Sequence, residues 1–250
     1  MKLGDRIKEF YENRTKTFLQ RRMITIIRLD GKSFSKWTKK LEKPFDDGFS
    51  DDMDATAVYL CENIQGAKFA YTQSDEITVV LTDFDTLDSQ AWFDYNVQKM
   101  TSVAASLATA KFNQLRMFRD GYNPEYKLAF FDARVFQVPN LDEMVNTIIW
   151  RQQDCTRNSV SMAAHELLGH SATMNKSSAE KQEMLFQEKG VNWNDYAVKY
   201  KRGTVIKKTQ IFIDGSEGPV ARNKWLPDYN TPIFTQETEY LYKLIPTIEF

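Results

Sequence analysis

Several kinds of protein are excluded by what this 250-residue chain has little of. Its two cysteines, Cys61 and Cys155, make no disulfide framework and suit a reducing compartment. Its two histidines, His165 and His170, have neither an acidic partner nor the spacing of a zinc site. Polar residues interrupt every apolar run well short of a membrane span. The N-terminus, MKLGDRIKEFYENRTK, is a polar helical pattern rather than a secretory leader. A cytoplasmic protein with no membrane contact is expected. Internal repeats and low-complexity segments are missing too. So is an excess of either charge: 33 Lys and Arg against 34 Asp and Glu leave a net charge of −1. That balance argues against nucleic-acid binding driven by bulk positive charge. The charges are instead segregated, with an acidic run at 42–54 (EKPFDDGFSDDMD) and a basic one at 199–208 (KYKRGTVIKK).

What remains is ordinary globular material, 42% hydrophobic and 13% aromatic, enough for a substantial core in one large domain or a domain with an appended subdomain. Residues 3–20 carry Leu3, Ile7, Phe10, Tyr11 and Phe18 at helical spacing. The apolar run 23–29 (MITIIRL) ends at Asp30-Gly31 and predicts a buried strand. A short helix or loop interrupted by Pro44 follows, then a helix over 50–64 with Ser50 as its cap and Asp51 and Asp52 in the first turn. Strands are expected at 67–72 and 77–81, a hairpin lacking the usual Asn-Gly turn. A long helix over 89–117 and a strand over 128–138 complete this half. The order predicts an α+β fold, a ferredoxin-like antiparallel sheet of three or four strands with helices on one face. Beyond a soft boundary at 138–140, helices are expected at 140–150, 159–168 and 178–189. A hairpin arm is expected at 203–213. The division is a catalytic domain over 1–138 and a mostly helical C-terminal part over 139–250, packed upon it.

Two motifs offer chemistry. In Arg28-Leu29-Asp30-Gly31-Lys32-Ser33-Phe34, a carboxylate leaves a buried strand where it can hold a hard cation such as Mg²⁺. Gly31 admits a phosphate close to the backbone, and Lys32 and Ser33 can donate to it. In Ser74-Asp75-Glu76, two acids stand between apolar strands, where burial is costly without a turn or a metal. Each motif alone also describes an ordinary turn. Together they place carboxylates on adjacent strands, a geometry that can bridge two metal ions about 3.5–4 Å apart and promote phosphoryl transfer. Lys32, Lys43 and Lys99 are candidates to clamp a triphosphate. The polar run 150–159 (WRQQDCTRNS) reads as a segment opening a helix, either a base or phosphate contact or a cap. Residues 179–186 (AEKQEMLF) read as a plain amphipathic helix.

These pieces, in order, resemble the tRNA(His) guanylyltransferase family of 3′-to-5′ polymerases. The matches are RLDGKSF (28–34), KPFD (43–46), AYTQSDEITVVL (70–81), the Lys99 helix, FDARVF (131–136), WRQQDCTRNS (150–159), AEKQEMLF (179–186) and KRGTVIKK (201–208). The resemblance implies a polymerase-palm-like domain in which Asp30, the Gly31 carbonyl and Asp75 hold two Mg²⁺ ions, with Glu76 as a further catalytic acid. It places Lys32, Ser33, Phe34, Lys43, Ser74 and Lys99 near nucleoside triphosphates. Arg151, Gln152, Asp154, Asn158, Lys181, Lys201 and Arg202 would serve tRNA or a second nucleotide. It also implies ATP and GTP as substrates, tRNA as partner and a homotetramer. In such enzymes a 5′-monophosphorylated tRNA is activated with ATP or GTP, and the 3′-hydroxyl of an incoming nucleotide attacks the activated end. The family's His-Ile-Asn-Asn-Leu-Tyr segment reads Thr156-Arg157-Asn158-Ser159-Val160-Ser161 here, keeping only Asn158. That departure points to the like-protein branch, which repairs 5′-truncated tRNA by templating, over a dedicated enzyme that adds G at position −1. A nucleotidyl cyclase-like palm and a non-catalytic tRNA-binding module are the readings from other classes. The motifs at 150–208 weigh against the first, and the intact Asp30 and Asp75 against the second.

Overall fold

The computed structural model describes residues 1–121, 123, 125, 127–215 and 218–245. An exposed helix, α1 (Leu3–Phe10), precedes strand β1 (Ile24–Gly31). The one-turn helix α2 (Phe34–Trp37), α3 (Asp47–Asn63), the hairpin β2 (Ala67–Gln73) and β3 (Glu76–Leu81), α4 (Val97–Asp120) and β4 (Phe131–Val138) follow. The rest comprises α5 (Leu141–Leu168), α6 (His170–Thr173), α7 (Ser178–Lys189), α8 (Val198–Arg202), β5 (Thr204–Gly215), β6 (Gly218–Asp228) and α9 (Glu239–Tyr242). All strands pair antiparallel in the order β4-β1-β3-β2-β5-β6. The first four form the expected ferredoxin-like unit. The other two lengthen the sheet to six, with β5 bonded to β2, so one sheet runs across the expected boundary at 138–140.

Strand alternation divides the apolar residues between two cores. Ile27, Leu29, Ala70, Ile77 and Val79 meet Leu60 of α3 and Ala104 and Phe112 of α4, the expected helical layer. Ile26, Phe69, Tyr71 and Val80 face the other way, onto Met144, Val145 and Ile148 of α5 and onto Phe234 and Leu241 of the tail. The C-terminal part thus supplies a second layer. Burial on both faces explains why 23–29 shows no alternation.

Several boundaries differ from the sequence reading: α1 stops at Phe10 instead of continuing to residue 20, and β4 begins at Phe131 instead of 128. Helix α3 starts at Asp47 because the Asp46 side chain accepts the Phe49 N–H at 2.6 Å, so Asp46 and not Ser50 is the cap. Helix α4 starts at Val97, where Asn96 caps the Lys99 N–H at 3.0 Å. The run 150–159 opens no helix. It lies in the middle of the 28-residue α5. Its Arg151, Gln152, Cys155 and Ser159 recur at helical spacing and are all buried, a polar stripe on a core-facing side. Among the described residues no helix is long and apolar enough to cross a membrane.

Candidate active site

Strand β1 carries Asp30 opposite Glu76 of β3 and Asp132 of β4, so the three share one sheet face. Just beyond, the Gly31 N–H donates to the Asp75 carbonyl at 3.1 Å, and the Lys32 N–H to the Phe130 carbonyl at 2.8 Å. These bonds tie the two acidic motifs into adjacent turns. Ser74 (φ 48°) and Ser33 (φ 59°) adopt left-handed conformations to make them. Phe34 then anchors the first turn among Trp37, Phe49, Phe112 and Phe131, with centroids 5.1–6.1 Å away. The return is tight: a Cβ on Gly31 would lie 2.4 Å from the Phe34 ring. Gly31→Ala is therefore expected to displace Phe34 and cost about 1–3 kcal/mol in urea unfolding, with activity falling alongside.

The electrostatics favour a cation. Burial, then the Asp30 charge, push the Asp75 carboxyl up to about 6, the Ser74 hydroxyl donating to it at 3.1 Å. Burial and then Asp132 raise Asp30, against smaller lowering by Arg134, Arg28 and Arg151. Among the described residues neither acid has an ion-pair partner. Glu76 differs: its Oε2 accepts Arg151 Nη1 at 2.8 Å, with both side chains buried. An already neutralised Glu76 holds the hairpin to α5 and is not placed as a metal ligand. Among the described residues no cluster of three or more His, Cys, Asp or Glu forms a metal cage. The donor set fits an ion that keeps waters and phosphate oxygens in its other positions, as Mg²⁺ does.

A cleft opens beside the pair. It is bounded by residues 41–46, Phe49 and Ser50, the end of β2 and its turn at Thr72, Gln73 and Ser74, Asn158 and Met162 of α5, and Lys199 and Tyr200 of α8. Its rim is latched: Phe45 stacks on Tyr200 at 4.5 Å, and the Tyr200 hydroxyl and Lys199 bond Asp47 at 2.5 and 2.6 Å. The structure thus gathers Asp30, Gly31, Lys32, Ser33 and Asp75 at the adjacent turns, and Lys43, Ser74 and Asn158 along the cleft. Phe34 is buried as the anchor below.

Other predicted residues lie elsewhere. Lys99 opens α4 beyond Leu81, at the Thr25 end of β1, where the Val97 N–H reaches Thr17. Five strand residues, roughly 17 Å, separate that end from Asp30. Lys99 therefore lies apart from the acidic pair and does not line the cleft. Gln152 is buried, accepting the Phe234 N–H and donating to the Pro232 carbonyl, each at 2.8 Å, and so fixes the tail. Lys201 is also buried, capped by the Asn194 carbonyl over the Trp193 ring. Neither is presented to RNA. Asp154 pairs with Arg151 and Arg157, and Lys181 bonds Ser161 between α7 and α5 at 3.0 Å. Arg202 lends its backbone carbonyl to the Tyr71 hydroxyl at 2.8 Å. Sequence reasoning missed Asp132, Arg134 and the Trp150 ring between Arg28 and Arg151, 5.4 and 3.6 Å from its centroid. Only strand pairing brings Asp132 and Arg134 to Asp30, and only packing of α5 on the sheet brings Trp150 to Arg28.

A ferredoxin-like sheet with two unneutralised carboxylates at adjacent strand ends, beside an open cleft, defines the class: a palm-type nucleotidyltransferase. The chain belongs to the tRNA(His) guanylyltransferase (Thg1) family, whose model matches residues 4–139. It is similar to a bacterial tRNA(His) guanylyltransferase (Thg1)-like protein solved in complex with ATP, at 40% identity and TM-score 0.87 over 98% of this chain and 99% of that one. A structure of such a protein with GTP matches at 38% identity and TM-score 0.79, over 97% and 98%. A probable tRNA(His) guanylyltransferase of Drosophila melanogaster is 28% identical over 88% of this chain and 79% of its own length. These likenesses make the chain a nucleotidyltransferase of tRNA processing.

Proposed function

We propose that the protein adds nucleotides in the 3′-to-5′ direction to the 5′ end of tRNA, repairing truncated ends by templating, with Asp30, the Gly31 carbonyl and Asp75 holding two Mg²⁺ ions. The observation that carries this reading is the pair of half-buried, mutually repelling carboxylates beside the cleft. Bound there, Mg²⁺ supplies the positive charge that a triphosphate and the leaving pyrophosphate require. The chain's own residues orient and exclude. Lys32 and Ser33 donate to phosphate from the turn, and Lys43 and Ser74 do so from the cleft. Glu76, locked by Arg151, positions the Asp75 turn. ATP and GTP are the triphosphates, by likeness to the nucleotide-bound bacterial proteins. The exposed Trp150, with Arg28 over its ring and Arg134 opposite Arg28 in the sheet, gives RNA a cationic and aromatic approach that the net charge conceals. A homotetramer would add further cations from neighbouring copies.

Templated repair is favoured over dedicated −1 guanylylation by residues 156 and 161. The Thr156 hydroxyl donates to the Lys201 carbonyl at 2.9 Å, and Ser161 accepts from Lys181. Both are engaged in joining α5 to α8 and α7. Two substrates separate the readings: a tRNA missing a 5′ nucleotide opposite a templating base, and a tRNA(His) lacking only an untemplated G at −1. Extension of the first at least about tenfold faster is expected. Faster extension of the second would establish the dedicated enzyme instead.

A further inference from the structure

Among the described residues, two buried side-chain oxygens of the cleft lining have no hydrogen-bond partner within 3.5 Å. Asp54 of α3, 3% exposed, gives Oδ1 to the Thr72 hydroxyl at 2.5 Å, and its Oδ2 is buried without a partner. Gln73, 5% exposed at the end of β2, buries its Oε1 in the same way. Both residues line the cleft. A buried polar atom without a hydrogen bond is rare and costly, and it marks a place where a ligand or water belongs.

Both orphans are acceptors, so whatever seats there brings N–H or O–H groups. The neighbouring acids are already engaged. Asp46 accepts two backbone N–H groups, from Phe49 and Glu42, and Asp47 holds Tyr200 and Lys199. The two orphans also differ in position. Gln73 lies two residues from Asp75, whereas Asp54 sits on α3 beside Met53, a turn beyond Phe49 and Ser50. A nucleoside triphosphate with its phosphates at Asp30 and Asp75 would meet Gln73, the nearer in sequence, before Asp54. Ribose hydroxyls and exocyclic base amino groups are its donors.

We propose that Asp54 is a specificity residue that accepts a hydrogen bond from the exocyclic amino group of the purine base, while Gln73 accepts one from a ribose hydroxyl. This rests on the reading of the cleft as a triphosphate site, and it makes the cleft favour ATP and GTP, the nucleotides that activate the 5′ end, over purines without an amino group. An unmatched acceptor is what enforces such selectivity, because the wrong base leaves it buried and unpaired.

Calorimetric titration of the full chain in Mg²⁺ tests this with two ligand pairs: ATP against purine riboside triphosphate, and GTP against inosine triphosphate. Each pair differs by the amino group alone. The amino-bearing member is expected to bind about tenfold tighter or more in the wild type. In Asp54→Asn, Oδ1 keeps Thr72 and an N–H donor faces the base, so the preference is expected to vanish or reverse. Equal binding within both pairs by the wild type overturns the assignment, and so does a preference that survives in Asp54→Asn. The wild-type pairs decide the matter even where the variant does not fold. Failure of all four triphosphates to bind overturns the triphosphate reading of the cleft as well, an outcome distinct from equal binding.

Discussion

Asp75→Asn is expected to lose nucleotide addition by roughly a thousandfold or more and yet unfold later than wild type at pH 7 without Mg²⁺. Losing a metal ligand removes several kcal/mol of transition-state stabilisation, and about 4 kcal/mol is roughly a thousandfold. The gain in stability comes from the same burial. Burial first, and then the Asp30 charge, push the Asp75 carboxyl from the ordinary aspartate value of 3.8 up to about 6. A raised carboxyl pKa means that the folded state holds the proton more tightly than the unfolded one. Stability from this group is therefore greatest below pH 3.8, declines as pH rises to about 6, and is flat above. Two units at 1.36 kcal/mol each set an upper bound of about 3 kcal/mol at pH 7. Asparagine has no charge to bury and escapes that loss. Urea unfolding at pH 3.5 and 7 reads it: the variant's advantage appears at pH 7 and vanishes at pH 3.5. Mg²⁺ is expected to raise the wild-type Tm and leave the variant's unchanged. A variant less stable than wild type at both pH values would contradict the strained-carboxylate picture.

The second large effect concerns the ion pair that joins the two layers. Arg151→Met is expected to cost about 3–5 kcal/mol, because Glu76 is left charged, buried and unpaired. Arg151 also stacks on Trp150 and reaches Asp154 at 3.3 Å. Replacing both partners, Arg151→Met with Glu76→Gln, is expected to recover most of the loss, since no buried charge remains. Urea midpoints of the two single variants and the double variant measure the coupling. Additive losses would mean that the pair contributes nothing as a pair. Activity is expected to fall in all three, since the pair holds the turn that carries Asp75.

The legible parts of this molecule were local. The run 23–29 followed by Asp-Gly and the strands about Ser74-Asp75 gave the turns themselves, and the element order gave the four-stranded core. Non-local facts were hidden. Nothing in the sequence distance between Asp30 and Asp132 shows that register sets them side by side. The polar run 150–159 misleads because buried Arg151, Gln152, Cys155 and Ser159 form a helix face whose partners, Glu76, Pro232, Phe234 and Trp193, lie far along the chain. Lys99 sits on the expected helix, but its distance from Asp30 follows only from where β3 leaves the sheet. Lys201 looks like a surface cation, and its burial under the Asn194 carbonyl depends on the Trp193 turn.

In the proposed function, Asp30 and Asp75 drive addition at the 5′ end of tRNA. The most direct measurement of this uses a 5′-truncated, 5′-triphosphorylated tRNA with Mg²⁺ and labelled nucleoside triphosphates. Products are resolved to single nucleotides, with wild type, Asp30→Ala and Asp75→Ala run side by side. Wild type is expected to lengthen the tRNA from its 5′ end up to the full templated length, and both folded variants to leave it unextended. A wild-type protein that adds no 5′ nucleotide, or a variant that adds them at the wild-type rate, would contradict it.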